Sequence, residues 1–130
     1  MLSFHIRLNP TNRIVNVVFF ERVELVEKLA AARQVAEKFG HLNPLLLLVD
    51  VRRADIVLST SERRQFGRFA AHLQGLSHGR AAVLHSVDHN ANVIINSTAQ
   101  AEGMEVVEFV TEHAAVEWLT GSAEGGRNRA

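Results

Sequence analysis

Cysteine is absent from the 130-residue sequence, which excludes disulfides, thiolate metal sites and a cysteine nucleophile. The chain also lacks a surplus of charge: Lys+Arg and Asp+Glu are each 14, for a formal net charge of +0. Because a basic surplus is the usual footprint of a nucleic-acid-binding domain, we expect no nucleic acid as a partner. The longest apolar run, Leu45–Val49, is too short to cross a bilayer. The chain starts without a charged segment followed by an apolar one, so we expect no signal peptide and a cytoplasmic protein.

Recognisable catalytic motifs are absent as well. The sequence has no Gly-x-Ser-x-Gly elbow and no glycine-rich phosphate loop after a strand. Among the seven histidines, His85 and His89 flank Asp88. They fall at a strand end and a helix start, so a shared metal-binding face is not expected. We therefore predict a protein that is not an enzyme and that has no metal and no cofactor.

Apolar sequence sufficient for one core is present, since hydrophobic residues make up 47% of the chain. A domain of this length can bury its core without disulfides or metals. We predict a domain over residues 1–120 and a disordered tail, small and polar, over residues 121–130.

Hydrophobic periodicity switches repeatedly between strand-like and helix-like patterns. Five strands are predicted, at Leu2–Leu8, Ile14–Phe20, Leu45–Val49, Ala81–Leu84 and Met104–Val110. Four helices are predicted, at Glu21–Phe39, from Ser59, from Asp88 or Asn90, and from Thr111. The first two strands are close enough for an antiparallel hairpin, whereas each later strand follows a helix, as in parallel crossovers. The predicted class is α/β: a mixed five-stranded sheet with one antiparallel edge strand and about four helices, in the order ββαβαβαβα.

The first helix has an amphipathic pattern. Its apolar residues recur every three or four positions, at Leu25, Leu29, Ala32, Ala36 and Phe39. The charged residues fall mostly on other faces; they are Glu27, Lys28, Arg33, Glu37 and Lys38.

Four segments carry a resemblance to a known family: Leu45–Arg52, Gly79–Leu84, Glu102–Phe109 and Ala114–Leu119. In them the chain resembles the SpoIIAA-like family, which is related to the STAS domains of anti-sigma-factor antagonists. The resemblance extends over nearly the whole chain up to Leu119. It implies a sheet with one antiparallel edge strand and flanking helices. Members of the family are discussed as regulatory proteins and as small relatives of CRAL-TRIO lipid-binding domains.

A regulatory domain needs a contact surface, and two segments are candidates for it: Asp50–Ser61 and Asp88–Asn92. Both follow the carboxyl ends of adjacent parallel strands, so they should cluster on one rim. The predicted partner-binding residues are Asp50, Arg52, Arg53, Ser59 and Asp88. Asp50 also has a simpler interpretation, as a turn carboxylate that accepts amides of an Arg52–Arg53 loop.

Ser59 and Ser61 are candidate phosphorylation sites, because in the anti-sigma antagonists a phosphorylatable serine starts the helix after this strand. A phosphate at a helix N-terminus meets unpaired amides and the positive end of the helix dipole. The family's Asp-Ser motif is absent here, since Leu58 precedes Ser59. A capping box between Ser59 and Glu62 explains both residues without a phosphate.

The second functional hypothesis is a carrier of an apolar small molecule or lipid, lodged between helices and sheet. Phe66 and Phe69 on the second helix and Ile94 on the third are the candidate pocket residues. The simpler interpretation is ordinary core packing. The expected partner is thus a protein or an apolar small molecule, without stable membrane insertion. A homodimer is compatible with exposed sheet edges, although the sequence has no dedicated interface signal.

Overall fold

The computed structural model describes residues 3–90 and 92–121. In this part of the chain it has five strands and four helices in the predicted order ββαβαβαβα. Their bounds are β1 Phe4–Leu8, β2 Ile14–Val23, α1 Leu25–Phe39, β3 Leu46–Ile56, α2 Thr60–His72, β4 Arg80–Leu84, α3 Val93–Ala101, β5 Glu105–Phe109 and α4 Glu112–Thr120. Parts of the predictions that concern Leu2, Ala91 and residues 122–130 lie outside the described residues.

The strands form one sheet in the order β1-β2-β3-β4-β5. β1 runs antiparallel to β2, and every later neighbour is parallel. The predicted mixed sheet with one antiparallel edge strand is therefore confirmed. Strands β2 to β5 end at the same side of the sheet, which we call the carboxyl edge, and each is followed there by a helix.

The helices cover the two faces of the sheet unequally. The crossover helices α1, α2 and α3 lie on one face, as expected when successive right-handed connections step in one direction along a sheet. Helix α4 packs on the other face, where Ala115 and Leu119 contact Leu46, Leu48 and Leu84. Strand β3 is thus covered on both faces, which confirms the interpretation of its unbroken apolar run.

Strand β3 is longer than predicted. It does not end at Asp50 but continues to Ile56. Asp50 is opposite the last residue of β4, Leu84, and beyond this point β3 pairs along β2 as far as Val23 opposite Ile56. We call residues 20–23 and 51–56 the β2–β3 overhang. The prediction of a loop directly after Asp50, from Val51 to Leu58, is therefore wrong for residues 51–56, because their charged side chains belong to a two-stranded extension, and it is confirmed only for Val57 and Leu58.

Two helix starts also differ from their predictions. Helix α1 begins at Leu25 rather than Glu21, since β2 continues through Glu21 with a φ of 59°. Helix α3 begins at Val93, with Asn92 rather than Asp88 or Asn90 at the position before it. Thr111 starts α4 as predicted, and its hydroxyl accepts a hydrogen bond from the amide of Ala114.

No helix in residues 3–90 or 92–121 has the length and apolar character needed to span a membrane.

Candidate functional site

Asp50 and Arg52 form an ion pair where β3 passes the end of β4. The Arg52 Nη2 and Nε atoms lie 2.8 and 3.0 Å from Asp50 Oδ2 and Oδ1. The Arg52 amide also donates to Asp50 Oδ1 at 3.0 Å, as the simpler interpretation of Asp50 predicted, but within a strand rather than a loop. Partial burial acts to raise the pKa of Asp50, yet the hydrogen bonds and charge of Arg52 outweigh it and hold that pKa below its ordinary value.

The remaining predicted partner-binding residues are spread along the carboxyl edge. Asp50 is level with the end of β4, and Asp88 lies shortly after that strand. Six further residues of β3 extend the strand by roughly 20 Å before Ser59 starts α2. Arg53 lies within this overhang and is exposed. The structure therefore brings Asp50 and Arg52 into contact, while Ser59 lies beyond the overhang.

Ser59 forms the predicted capping box. Its hydroxyl accepts a hydrogen bond from the Glu62 amide at 3.1 Å, and its own amide donates to Glu62 Oε1 at 2.8 Å. Ser61 is exposed in the first turn of the same helix. The capping prediction is confirmed, and phosphorylation of Ser59 or Ser61 stays a prediction.

Large apolar side chains are exposed at the same edge. The exposed large hydrophobic residues of the described chain are five valines, Val26, Val57, Val87, Val93 and Val110. Each lies between the end of a parallel strand and the first turn of the following helix. Sequence reasoning missed them because a single exposed valine is ordinary, and their repetition after every parallel strand is the signal that could have found them.

A cavity of about 80 Å³ lies between the sheet and helices α1, α2 and α3. Its walls are mainly alanine, valine and leucine side chains, such as Ala32, Val35 and Leu47. Of the predicted pocket residues, Phe66 lines the cavity. Phe69 packs against the core without lining the cavity, and on α3 the lining residue is Ile95 rather than Ile94.

A chain of buried polar groups runs along the same cavity. Lys28 of α1 is 1% exposed, and its Nζ donates to Asn92 Oδ1 at 2.8 Å. Asn92 Nδ2 donates to Asn96 Oδ1 at 2.7 Å, and Asn96 Nδ2 donates to Glu108 Oε2 at 2.9 Å. We call Lys28, Asn92, Asn96 and Glu108 the polar chain.

The sequence grouped Lys28 with the charged residues away from the apolar stripe, but it lies among the buried residues of α1. Lys28 precedes Ala32 by four positions and Val35 by seven, so it lies on the same face of the helix as these inward-facing residues. This spacing is the signal that could have predicted its burial.

Burial lowers the pKa of Lys28 from 10.5 to about 7, and the positive charge of Arg63 acts in the same direction. Lys28 Nζ is 4.3 Å from the centre of the Phe19 ring and 5.7 Å from that of Phe66. No carboxylate among residues 3–90 and 92–121 forms an ion pair with it. The cavity therefore contains a buried amine without an anionic partner from the described chain.

Comparisons with known proteins bear on the fold. No protein-family model and no curated protein matches the chain. Among solved structures, it is similar to an uncharacterised protein from the DUF3478 family of Shewanella loihica PV-4, which has a SpoIIAA-like fold. The TM-score is 0.58 at 12% sequence identity, and the match covers 90% of this chain and 92% of the other. The chain therefore has a SpoIIAA-like α/β fold, as the resemblance of its sequence implied.

Proposed function

We propose that this protein is a non-enzymatic regulatory module of the STAS type, which binds a protein partner through its carboxyl edge. The observation that carries this proposal is the position of the five exposed valines, all at that edge. Exposed apolar side chains gain free energy when a partner removes them from water. Functional groups of open α/β sheets also concentrate at the carboxyl ends of the strands.

The charges at this edge indicate the chemistry of the partner. Arg52 is already paired with Asp50. Arg53 is exposed, and none of the ion pairs among the described residues involves it. An exposed guanidinium at the same edge as exposed apolar side chains suits a carboxylate at the rim of an interface. The partner is therefore a protein that presents apolar side chains next to at least one carboxylate.

The test compares the wild-type chain with two variants as bait in extracts of the source cells. The double variant Val87→Asp/Val110→Asp changes two exposed valines that follow the paired strands β4 and β5. His41→Asp is the matched control, because it adds a carboxylate at an exposed position before β3, away from the carboxyl edge. We expect a partner that is retained by the wild type and by His41→Asp, and lost from the double variant.

Arg53→Glu adds a second readout for the same partner. Charge reversal should weaken its binding about tenfold if Arg53 meets a carboxylate. A partner that the double valine variant retains as well as the wild type does would contradict docking at the carboxyl edge.

The second candidate function is binding of a small apolar ligand, and the cavity favours it. Its volume of about 80 Å³ is roughly half that of a cavity of ~150 Å³ known to take benzene. A small molecule therefore fits better than a lipid chain. Native mass spectrometry of protein purified from cells tests it: added mass that is lost on denaturation supports ligand binding, and a mass equal to the chain alone counts against it.

A further inference from the structure

Lys28 lies in the wall of the cavity and has no carboxylate partner among residues 3–90 and 92–121. An ammonium group has three N–H donors, and Lys28 Nζ uses one of them on Asn92 Oδ1. The faces of the Phe19 and Phe66 rings lie nearby, with their centres 4.3 and 5.7 Å from Nζ. Such rings attract a cation but do not replace a hydrogen-bond acceptor.

Burying a cation without an anion is costly, and proteins normally pair such groups or bind a metal or ligand beside them. A hydrophobic residue of similar length would stabilise this core more than Lys28 does. The presence of an amine at this position therefore points to something that the amine binds.

We propose that the cavity binds a short-chain carboxylate, with its carboxylate on Lys28 Nζ and its hydrocarbon tail against the apolar walls. This inference deepens the second candidate function and rests on it. The charge of the ligand follows from Lys28, since a cation would be repelled by Lys28 and Arg63 and a neutral molecule would leave the ammonium unpaired.

The size of the ligand follows from the cavity. A volume of about 80 Å³ accommodates roughly three non-hydrogen atoms, judged against ~150 Å³ for the six carbons of benzene. The carboxylate occupies part of this space, so acetate, whose tail is a single methyl group, comes closest to this size. The apolar walls, which include Ala31, Ala32 and Val83, offer no polar group to a longer or hydroxylated tail.

The charged groups that surround Lys28 determine how binding depends on pH. Arg63 of α2 acts on it as a like charge. Glu108 of β5 is reached through Asn96 and Asn92, and α3 contributes those two amides. A bound carboxylate favours the ammonium form, so binding above pH 7 takes up a proton and weakens as the pH rises further.

The experiment is a titration of the methyl-labelled full-length protein with sodium acetate, followed by NMR. Lys28→Met removes the amine and keeps the length of the side chain. Lys38→Met is the matched control, because Lys38 is exposed on the same helix and is the other lysine of the chain. We expect shifts of the methyl groups that line the cavity, saturating in the wild type and in Lys38→Met. Acetate should bind Lys28→Met about tenfold or more weakly than it binds the wild type.

Two further probes keep the outcome decisive. Acetamide has the same shape as acetate without the charge, so it should bind the wild type about tenfold more weakly than acetate does, a comparison that holds even if Lys28→Met does not fold. Xenon tests access to the cavity without any polar group. Xenon binding without acetate binding overturns the carboxylate inference and leaves the second candidate function intact, whereas binding of neither probe contradicts both. Equal binding of acetate to the wild type and Lys28→Met also overturns the inference.

Discussion

The polar chain and the Asp50–Arg52 pair are both polar groups near the ends of the parallel strands, but they differ in their exposure to water. Lys28 is fully buried and relies on Asn92. Arg52 has 41% of its side chain exposed and can exchange Asp50 for water. Hydrogen bonds in the polar chain should therefore contribute strongly to the free energy of unfolding, and those of the Asp50–Arg52 pair only weakly. The reason is that an unpaired polar group is costly only where water cannot reach it.

The largest expected effect is the response of the polar chain to pH. The folded-state pKa of Lys28 is about 7, below the 10.5 of the unfolded chain. Between these values the unfolded chain binds one more proton, so stability rises with pH by about 1.4 kcal/mol per unit. Urea unfolding at pH 7.5, 8.5 and 9.5 measures this slope. Lys28→Met should abolish it and Lys38→Met should keep it, and a flat wild-type profile would contradict the burial of the amine.

The next largest effect is expected for Asn92→Leu. This change leaves both Lys28 and Asn96 without their buried partner, and it should lower the free energy of unfolding by about 2 kcal/mol or more. Denaturant unfolding at pH 7 measures the loss. Adding Lys28→Met to Asn92→Leu should recover part of it, because the unpaired amine is then removed. A double variant that is less stable than Asn92→Leu alone would argue against direct coupling.

A smaller effect is expected at the start of α2. Ser59→Ala removes the hydroxyl that accepts the Glu62 amide, and it should cost about 1 kcal/mol. Thermal unfolding measures it. Ser61→Ala is the control, since Ser61 is exposed in the same turn and its loss should be nearly neutral. Equal losses for the two variants would contradict the capping role.

The smallest effect is expected for the Asp50–Arg52 ion pair, in which the carboxylate is partly buried but the guanidinium is 41% exposed. Arg52→Gln removes the charge that faces Asp50, and it should cost no more than about 0.5 kcal/mol, since pairs that water reaches contribute little. The value should shrink further in high salt. A loss as large as that of Asn92→Leu would remove the contrast between the two clusters.

The sequence predicted the sheet well because its strongest signals are local. Leu45–Val49 is apolar without alternation, which identifies a strand covered on both faces, and Ser59 with Glu62 identifies a helix start. The overhang was missed because Arg52, Arg53 and Asp55 suggest a loop, and their pairing with β2 is a long-range contact that no local pattern specifies.

The candidate site was harder to predict than the fold. Lys28 carries the signal of a solvated helix face, since buried lysines are rare. Its burial depends on where α1 lies against α3, which brings Asn92 to it from 64 positions away in sequence. Phe66 was identified from the apolar stripe of α2, but that stripe does not distinguish a residue that lines a cavity from one, such as Phe69, that packs beside it.

The overhang also affects whether copies of this molecule associate at high concentration. Past the end of β4, no described strand pairs with this side of β3, and an unpaired strand side can template intermolecular strand addition and aggregation. Charged side chains lie along this part of the strand, at Arg52, Arg53 and Asp55. The Arg63 guanidinium donates hydrogen bonds to the carbonyl oxygens of Ile56 and Leu58, at 3.0 and 3.1 Å. These groups disfavour the pairing of a strand from a neighbouring copy with this edge of the sheet.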